Sequence, residues 1–505
     1  MQKAKLILDL DYKIACVDDR LYSFFVEHLG RCVYNGVYEP GHPTADGAGF
    51  RSDVKELARR LRIPLIRYPG GNMVSGFNWE DSVGPRELRP RRLELSRTSI
   101  ETNEVGLHEF FDYAKDLGSD LIYAVNLGTR GPAEARDLIE YTNHRGGTYY
   151  SDMRRKNGRE EPFNIKTWCL GNEMDGPWQM CHKTAREYGA IARETAKMMR
   201  WVDKDIELIA VGSSGTELPT YGSWEMEMLD ECYDYVDYVA FHRYFRNFET
   251  DSDSFLAWNV DLEAMIHTLV SICDAMKGKK RSKKTLNLSF DEWNVLHRID
   301  VENHPERLSM PLKKDEWTVA PRLIEHTYTF EDALCMTFLM HTMLRHADRL
   351  KIACLAQMVN VIAPIMTEPG GSCWVQSIYW PLQRVSEYGR GESILPVLTS
   401  PKGECKAYGD VDLIDACCVR HDDQSLTLFV ASRAKEEIEL DVDLRSAGNV
   451  RVTSHEILSC SDMNAYNSLE HPDAVCMRSI ECEAMDGGKL SLVIPPMSWH
   501  VIQIA

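Results

Sequence analysis

Two glutamates stand where a carboxylate could do acid, base or nucleophilic work. The first closes an apolar run, Trp168-Cys169-Leu170-Gly171-Asn172-Glu173, and the second closes Leu286-Asn287-Leu288-Ser289-Phe290-Asp291-Glu292. Each apolar run reads as a buried strand, and each Glu falls where that strand should end. In parallel α/β proteins the carboxyl ends of buried strands are where chemistry is placed. Glu173 and Glu292 lie about 120 residues apart, far enough to face each other across a barrel mouth. A pair of facing carboxyl groups is the equipment of glycoside hydrolysis. The bland reading of either Glu alone is a structural ion pair, and the two have to be judged together.

The surrounding elements supply eight candidate strand–helix units. The apolar strands run over 21–29, 64–68, 121–127, 165–173, 206–211, 236–244, 285–292 and 350–360. Between them, segments such as 51–61, 132–142, 184–201, 262–276 and 330–346 carry apolar residues near the helical period. Eight such units over roughly 360 residues predict an α/β fold of (β/α)8 TIM-barrel type. The strand interiors are continuous apolar runs, as burial on both faces requires. Polar residues collect at their ends: Glu27, Arg67 with Asn72, Asn126, Asn172, Ser213, His242 with Tyr244, and Gln357. A purely structural barrel has no use for polar groups at most of its strand ends.

After about Pro381 the pattern changes to short alternating runs divided by Asp, Gly, Ser and Pro, which predicts an antiparallel β-sandwich, jelly-roll-like. The first strand, within 1–12, has no place in a barrel already closed by eight strands and is assigned to the sandwich. The expected division is therefore a catalytic barrel over 16–381 and a sandwich built from 1–15 plus 382–505.

Composition excludes several classes. A net charge of −19 argues against a nucleic-acid surface. Locally basic runs stand at 86–97 and 277–284, and the second reads as a solvated loop. No stretch is apolar for the length of a membrane span, and residues 1–12 mix Lys and Asp into their apolar residues, unlike a secretory signal. The fifteen cysteines are scattered without a CxxC pair, which suits free thiols in a cytoplasmic protein. Metal-ligand and nucleotide-loop motifs are missing, so no metal and no cofactor is expected.

The motifs carry a family resemblance across nearly the whole chain. Glu27-His28-Leu29-Gly30-Arg31, Arg67-Tyr68-Pro69-Gly70-Gly71-Asn72, Phe77-Asn78-Trp79, Trp168 through Trp178, Asp291-Glu292-Trp293-Asn294-Val295, Tyr328 through Ala333, Ala356 through Ile365 and Pro495-Pro496-Met497-Ser498-Trp499 resemble family 51 of the glycoside hydrolases, the intracellular α-L-arabinofuranosidases. The resemblance implies retaining chemistry on an oligosaccharide, with Glu173 as general acid/base and Glu292 as nucleophile. It also implies that Glu27, Asn72, Asn172, Tyr244 and Gln357 bond the furanose hydroxyls, that Arg67 and His242 orient the carboxylates, and that the chain forms a homo-oligomer, often a hexamer. An Arg or Tyr beside Glu292 would keep it ionised, while a cycling Glu173 calls for a raised pKa.

Plainer readings stand beside these. Glu27 could pair with Arg67, Asn72 could be a turn residue, and His242 could be a satisfied core histidine. Trp79 and Trp178 could pack under loops, and Gln357 needs a partner if buried. Two positions depart from the family: Arg97 and Leu296 stand where many members carry Trp, and 297–322 fits poorly. Both aromatics belong to the leaving-group side, so a short or charged leaving group is expected in place of branched polymer. The alternatives are a β-xylosidase or endo-glucanase of the same fold, or a non-catalytic sugar-binding protein.

Overall fold

The computed structural model describes residues 1–247, 251–296 and 316–505; most of the poorly matching 297–322 segment lies outside the described residues. Eight parallel strands close into a barrel. In order they are Ser23–Phe25, Leu65–Tyr68, Asp120–Ala124, Thr167–Leu170, Glu207–Ala210, Tyr238–Arg246, Asn287–Leu296 and Leu350–Ala356, with the last hydrogen-bonded back to the first. Their interiors are buried, as the continuous apolar runs require. Helices such as Ala185–Val202, Trp258–Lys280 and Phe330–Arg345 cover the outside. The helix Ala185–Val202 starts on a capping box, Thr184 with Glu187, which satisfies two otherwise orphaned N–H groups.

Several strand limits differ from the sequence expectation. The first strand shrinks to Ser23–Phe25, because Leu21 and Tyr22 sit in a 3-10 turn and the ladder ends at Phe25, with the Val26 N–H donating to Arg67 O as its last backbone bond to the second strand. The eighth ends at Ala356, short of Asn360, which turns back through positive φ. The seventh runs on past Glu292 to Leu296, because the sixth strand is long enough to pair with it as far as Arg246. Its register shifts between Ser289 and Glu292. Such a bulge re-aims side chains, and here the consecutive residues Asp291 and Glu292 both contact groups of the barrel interior.

A nine-stranded sheet follows the barrel, and the strand Gln2–Cys16 lies inside it, between Glu392–Thr399 and Ile438–Arg445. The sheet is mostly antiparallel, as expected, with a parallel pairing at this strand: Gln2–Cys16 pairs antiparallel with the former and parallel with the latter. A strand contributed from the far end of the chain is not bound by hairpin direction. Strand Leu426–Ser432 shows why the sheet stays on the barrel. Leu426, Leu428 and Val430 point into the sheet's own core, whereas Phe429 and Ala431 join the barrel core. Alternation along one strand thus serves two cores.

A polar network pins the same junction. Asp415 Oδ1 accepts from Arg345 Nη1 at 2.6 Å and from His341 Nδ1 at 3.0 Å, and Trp499 Nε1 donates to His341 Nε2 at 3.0 Å. Burial works to raise the Asp415 carboxyl, but Arg345 and His341 hold it well below the ordinary carboxylate range. A depressed folded-state pKa contributes stability that is present above the unfolded value near ~4 and is lost as pH falls through the folded one. Replacing Asp415→Asn should therefore cost roughly 2–3 kcal/mol at pH 7, since it strands a largely buried guanidinium. It should also flatten the loss of stability as pH falls from about 5 towards 2, the window between the unfolded and the lowered folded value. Thermal unfolding of both proteins at pH 7 and across that range checks it; equal melting temperatures at pH 7 would overturn it.

Candidate active site

The barrel's carboxyl-end face gathers the two glutamates. Glu173 follows the fourth strand on a backbone with φ of 45°, a conformation that costs a non-glycine residue on the order of 1–3 kcal/mol and is met chiefly where geometry matters. Glu292 reaches in from the seventh strand. A carboxylate oxygen of each and a ring nitrogen of His242 all lie within 4.8 Å of one another.

Each carboxylate is held by a distinct set of donors. Glu292 Oε2 accepts from Arg67 Nη1 at 3.0 Å, and its Oε1 accepts from the Tyr244 hydroxyl at 2.7 Å. Glu173 Oε1 lies 3.0 Å from His242 Nδ1, and its Oε2 accepts from Trp178 Nε1 at 2.6 Å. Arg67 also donates to Asn172 Oδ1 at 2.6 Å and lies 3.4 Å from Asp291. The guanidinium face rests on Phe25, 4.7 Å from the ring centre. All of Arg67, His242, Asp291, Glu173 and Glu292 are buried.

His242 bridges carboxylates with both ring nitrogens, Nδ1 to Glu173 and Nε2 to Asp291 at 3.1 Å. Burial disfavours its charge, but Glu292, Asp291 and Glu173 outweigh burial and carry its pKa up to about 10. An imidazolium donates from both nitrogens and has no lone pair for a metal. The trio Glu173, His242 and Glu292 is therefore a hydrogen-bonded cluster first. Burial pushes Glu173 up, yet the His242 hydrogen bond and charge bring it net below its ordinary value. This differs from the raised value expected for a cycling acid. The cause is that the pair's shared proton rests on His242 in the resting site.

Glu27 completes the far wall. Met73 N–H donates to its Oε1 at 3.0 Å, and Gln357 Nε2 approaches its Oε2 at 3.4 Å while Gln357 Oε1 accepts from the Glu27 N–H at 2.9 Å. Gln357 thus has the partner a buried amide needs. Burial raises the Glu27 carboxyl to about 7. Gly71 lets it in: a Cβ there would stand 2.6 Å from Glu27 Oε2.

The structure brings together Glu27, Arg67, Asn72, Asn172, Glu173, His242, Tyr244, Glu292 and Gln357. Arg67 spends its bonds on Glu292, Asn172 and Asp291, so the simple Glu27–Arg67 pair is not what forms. Asn126 and Ser213 serve elsewhere. Asn126 bonds Phe77 O and Thr129, and the Ser213 N–H donates to Glu225. Trp79 packs against Tyr141 and Tyr150. Trp178, half exposed, is the tryptophan that touches the site. Asp291 was passed over by sequence reasoning. Its only signal is its place beside Glu292, and alternation along a regular strand would turn it outward. A second trio, Glu263, His267 and His346, brings metal-capable atoms within 4.8 Å, but Glu263 already bonds His346 at 2.7 Å and lies 3.9 Å from Arg345.

Comparison with known proteins agrees with this geometry. Residues 57–259 match the profile described as alpha-L-arabinofuranosidase 1 domain, and residues 291–498 match alpha-L-arabinofuranosidase C-terminal domain. The chain is 48% identical to the intracellular exo-alpha-(1->5)-L-arabinofuranosidase 1 of Bacillus subtilis, over 100% of this chain and 99% of the relative. It is 44% identical to an exo-alpha-(1->6)-L-arabinofuranosidase of Bifidobacterium longum, over 100% and 98%. A solved family 51 alpha-L-arabinofuranosidase of Bifidobacterium longum superposes with a TM-score of 0.94 at 38% identity, covering 100% of both chains.

The His242 assignment has a direct check. Its imidazole should stay protonated through pH 8 in nitrogen-15 NMR, and Asp291→Asn should lower its pKa by one unit or more by removing an adjacent charge. A His242 that loses its proton near pH 6.5 would overturn the charge arrangement.

Proposed function

The chain belongs to family 51 of the glycoside hydrolases, the α-L-arabinofuranosidases, and from that membership we propose the roles of its site residues and the kind of substrate it takes. It is an exo-acting, retaining enzyme that releases terminal arabinofuranose. The observation that carries the assignment of roles is the separation of Glu173 and Glu292, with oxygens within 4.8 Å. Retaining enzymes place their carboxyl groups about 5–5.5 Å apart, whereas inverting enzymes leave ~6.5–9.5 Å for a water.

Glu292 is the nucleophile. Arg67 and Tyr244 aim its carboxylate, which attacks the anomeric carbon as the glycosidic C–O bond breaks. Glu173 is the acid/base: it delivers to the departing oxygen the proton that His242 Nδ1 hands to its Oε1 across their 3.0 Å contact. It then takes one from the water that displaces Glu292 from the glycosyl ester. The resting proton on His242 fits this cycle. Once Glu292 is esterified its charge is gone, and so is the largest of the charges that make His242 basic. Glu27, Asn72, Asn172 and Gln357 would hold the furanose hydroxyls.

The leaving-group side supports short arabino- or arabinoxylo-oligosaccharides. A cavity of about 100 Å³ lies between the 73–81 segment and the 92–101 hairpin, lined by Met73, Phe77, Asp81, Leu93, Glu94 and Met180 among others. Leu296 is buried in the barrel core and offers no platform, and Arg97 reaches Asn72 instead of presenting a flat ring. Relatives at similar identity carry names with different linkages, so linkage preference rests on this side of the site. Among the described residues no helix is long and apolar enough to cross a membrane. All fifteen cysteines are unpaired, and together with the word intracellular in a relative's name they favour a cytoplasmic place in arabinan breakdown. We also take 16–381 as the catalytic unit, 1–15 with 382–505 as its support, and a hexamer as the assembly, which light scattering would check.

A nitrophenyl panel tests the reading. Nitrophenyl α-L-arabinofuranoside should be hydrolysed with the α-anomer as first product by NMR, and the β-D-xyloside and β-D-glucoside should be slow. Glu292→Ala should lower kcat by about 10⁴ or more. Glu173→Ala should lose ~10²–10⁴ and recover with azide. Inversion at the anomeric carbon would remove Glu292 as nucleophile. In competition, arabino-oligosaccharides should outpace arabinoxylan; preference for the polymer would sink the leaving-group reading.

A further inference from the structure

Arg97 sits on a braced hairpin, not a loose loop. The hairpin pairs Arg92–Glu94 with Ser99–Glu101. Buried Glu94 clamps the turn by accepting from Ser96 N at 2.9 Å and from Arg97 N at 2.8 Å. At its base Glu101 lies 2.8 Å from His28, the neighbour of Glu27, and Arg92 pairs with Asp81 at 2.8 Å. The Ile100 N–H donates to Thr318 O at 2.9 Å. A guanidinium carried on such a support is aimed before any ligand arrives.

Its target is the Asn72 amide, whose orientation follows from its neighbours. Gln179 Nε2 donates to the Ser75 hydroxyl at 2.5 Å and to Asn72 O at 3.2 Å, which turns Gln179 Oε1 towards Asn72. Asn72 Nδ2 then donates to Gln179 Oε1 at 3.2 Å and to Glu173 Oε2 at 3.1 Å, and Asn72 Oδ1 accepts from Arg97 Nη2 at 3.2 Å. The opposite orientation would keep a 3.4 Å contact from Asn172 Nδ2, but would set the amide oxygen against two acceptor oxygens. A chain of donors thus runs Arg97 to Asn72 to Glu173.

We propose that Arg97 is a positioning residue for the acid/base, fixing the Asn72 amide towards Glu173 and supplying a permanent charge that balances Glu27 and Glu173. The inference rests on the reading of Glu173 as acid/base. The Arg97 charge also works to lower both Glu27 and Glu173. The other groups facing Glu173 are Asp175 from its own loop, His242 and Tyr244 from the sixth strand, Asp291 and Glu292 from the seventh, Arg67 from the second and Glu27 from the first. Of these, Glu27 also feels the Arg97 charge, and its carboxyl rises together with that of Glu173 when Arg97 is replaced.

The sign of the effect is fixed. The alkaline limb of kcat/KM reports loss of the proton that Glu173 and His242 share in the free enzyme. A cation and a donor beside a carboxylate lower its pKa, so removing both moves the limb to higher pH. On nitrophenyl α-L-arabinofuranoside, Arg97→Gln should shift the alkaline limb up by about one pH unit, with an unchanged melting temperature. Arg97→Lys, which keeps the charge, should return at least half of that shift. An unmoved limb in Arg97→Gln, or a shift that Arg97→Lys does not reduce, would overturn the proposal. Glu173→Ala, run alongside, separates the two readings. If azide rescues it and its alkaline limb vanishes, Glu173 is the acid/base and the Arg97 result stands on its own; if not, the assignment of Glu173 fails first.

Discussion

Burying three carboxylates around one imidazole and one guanidinium is the constraint on which this site depends. Glu173, Asp291 and Glu292 would repel one another strongly inside a barrel, where water cannot screen them. Arg67 and a charged His242 offset two of those charges and bond all three carboxylates. Removing either cation would leave unpaired buried charge, so the positions of both are set as tightly as those of the glutamates. Asp291 is the anchor that holds His242 by Nε2. Cys169, whose thiol donates to Asp291 Oδ2 at 3.1 Å, supports it in turn.

The scaffold carries this arrangement through local departures from regular structure. The register shift in the seventh strand lets two consecutive acids share the interior. Gly71 leaves room for the Glu27 carboxylate, and positive φ at Glu173 turns its side chain back over the mouth. Each departure costs a little conformational energy and persists because the surrounding barrel over-determines it. The rigidity comes from the continuous apolar core, which the sheet's Phe429, Ala431, Trp499 and Val501 extend. The β-sheet unit thus shares packing with the catalytic unit through Leu426–Ser432 and the Asp415 network.

The two halves of the site differ in character. One half is a set of hydrogen-bonding groups around the two glutamates that bond to one another, the proposed glycone side. The leaving-group half is made by the hairpin carrying Arg97, the Met73–Phe77 segment and the Trp178 loop, which are long insertions between barrel elements. On the proposed roles, chemistry and sugar recognition belong to the first half and discrimination among leaving groups to the second.

Much of this was legible from residue order. Eight apolar runs separated by helical spacing match a parallel barrel with both faces buried, and polar residues at their ends marked the mouth. The two glutamates, Arg67, His242, Tyr244 and Gln357 were all visible because strand ends are read by periodicity. What residue order could not give was anything decided by departure from periodicity or by long-range charge. Asp291 escaped notice because a regular strand turns every second side chain away, and only the bulge turns it in. The lowered proton affinity of Glu173 was hidden because it depends on His242, 69 residues further along the chain. The parallel seat of Gln2–Cys16 beside Ile438–Arg445 and the reach of Arg97 to Asn72 likewise join segments whose spacing in the chain carries no trace of the contact. Local pattern determined the fold and the principal carboxylates; the electrostatic state of those carboxylates was settled only when the barrel closed and brought distant charges within a few ångströms.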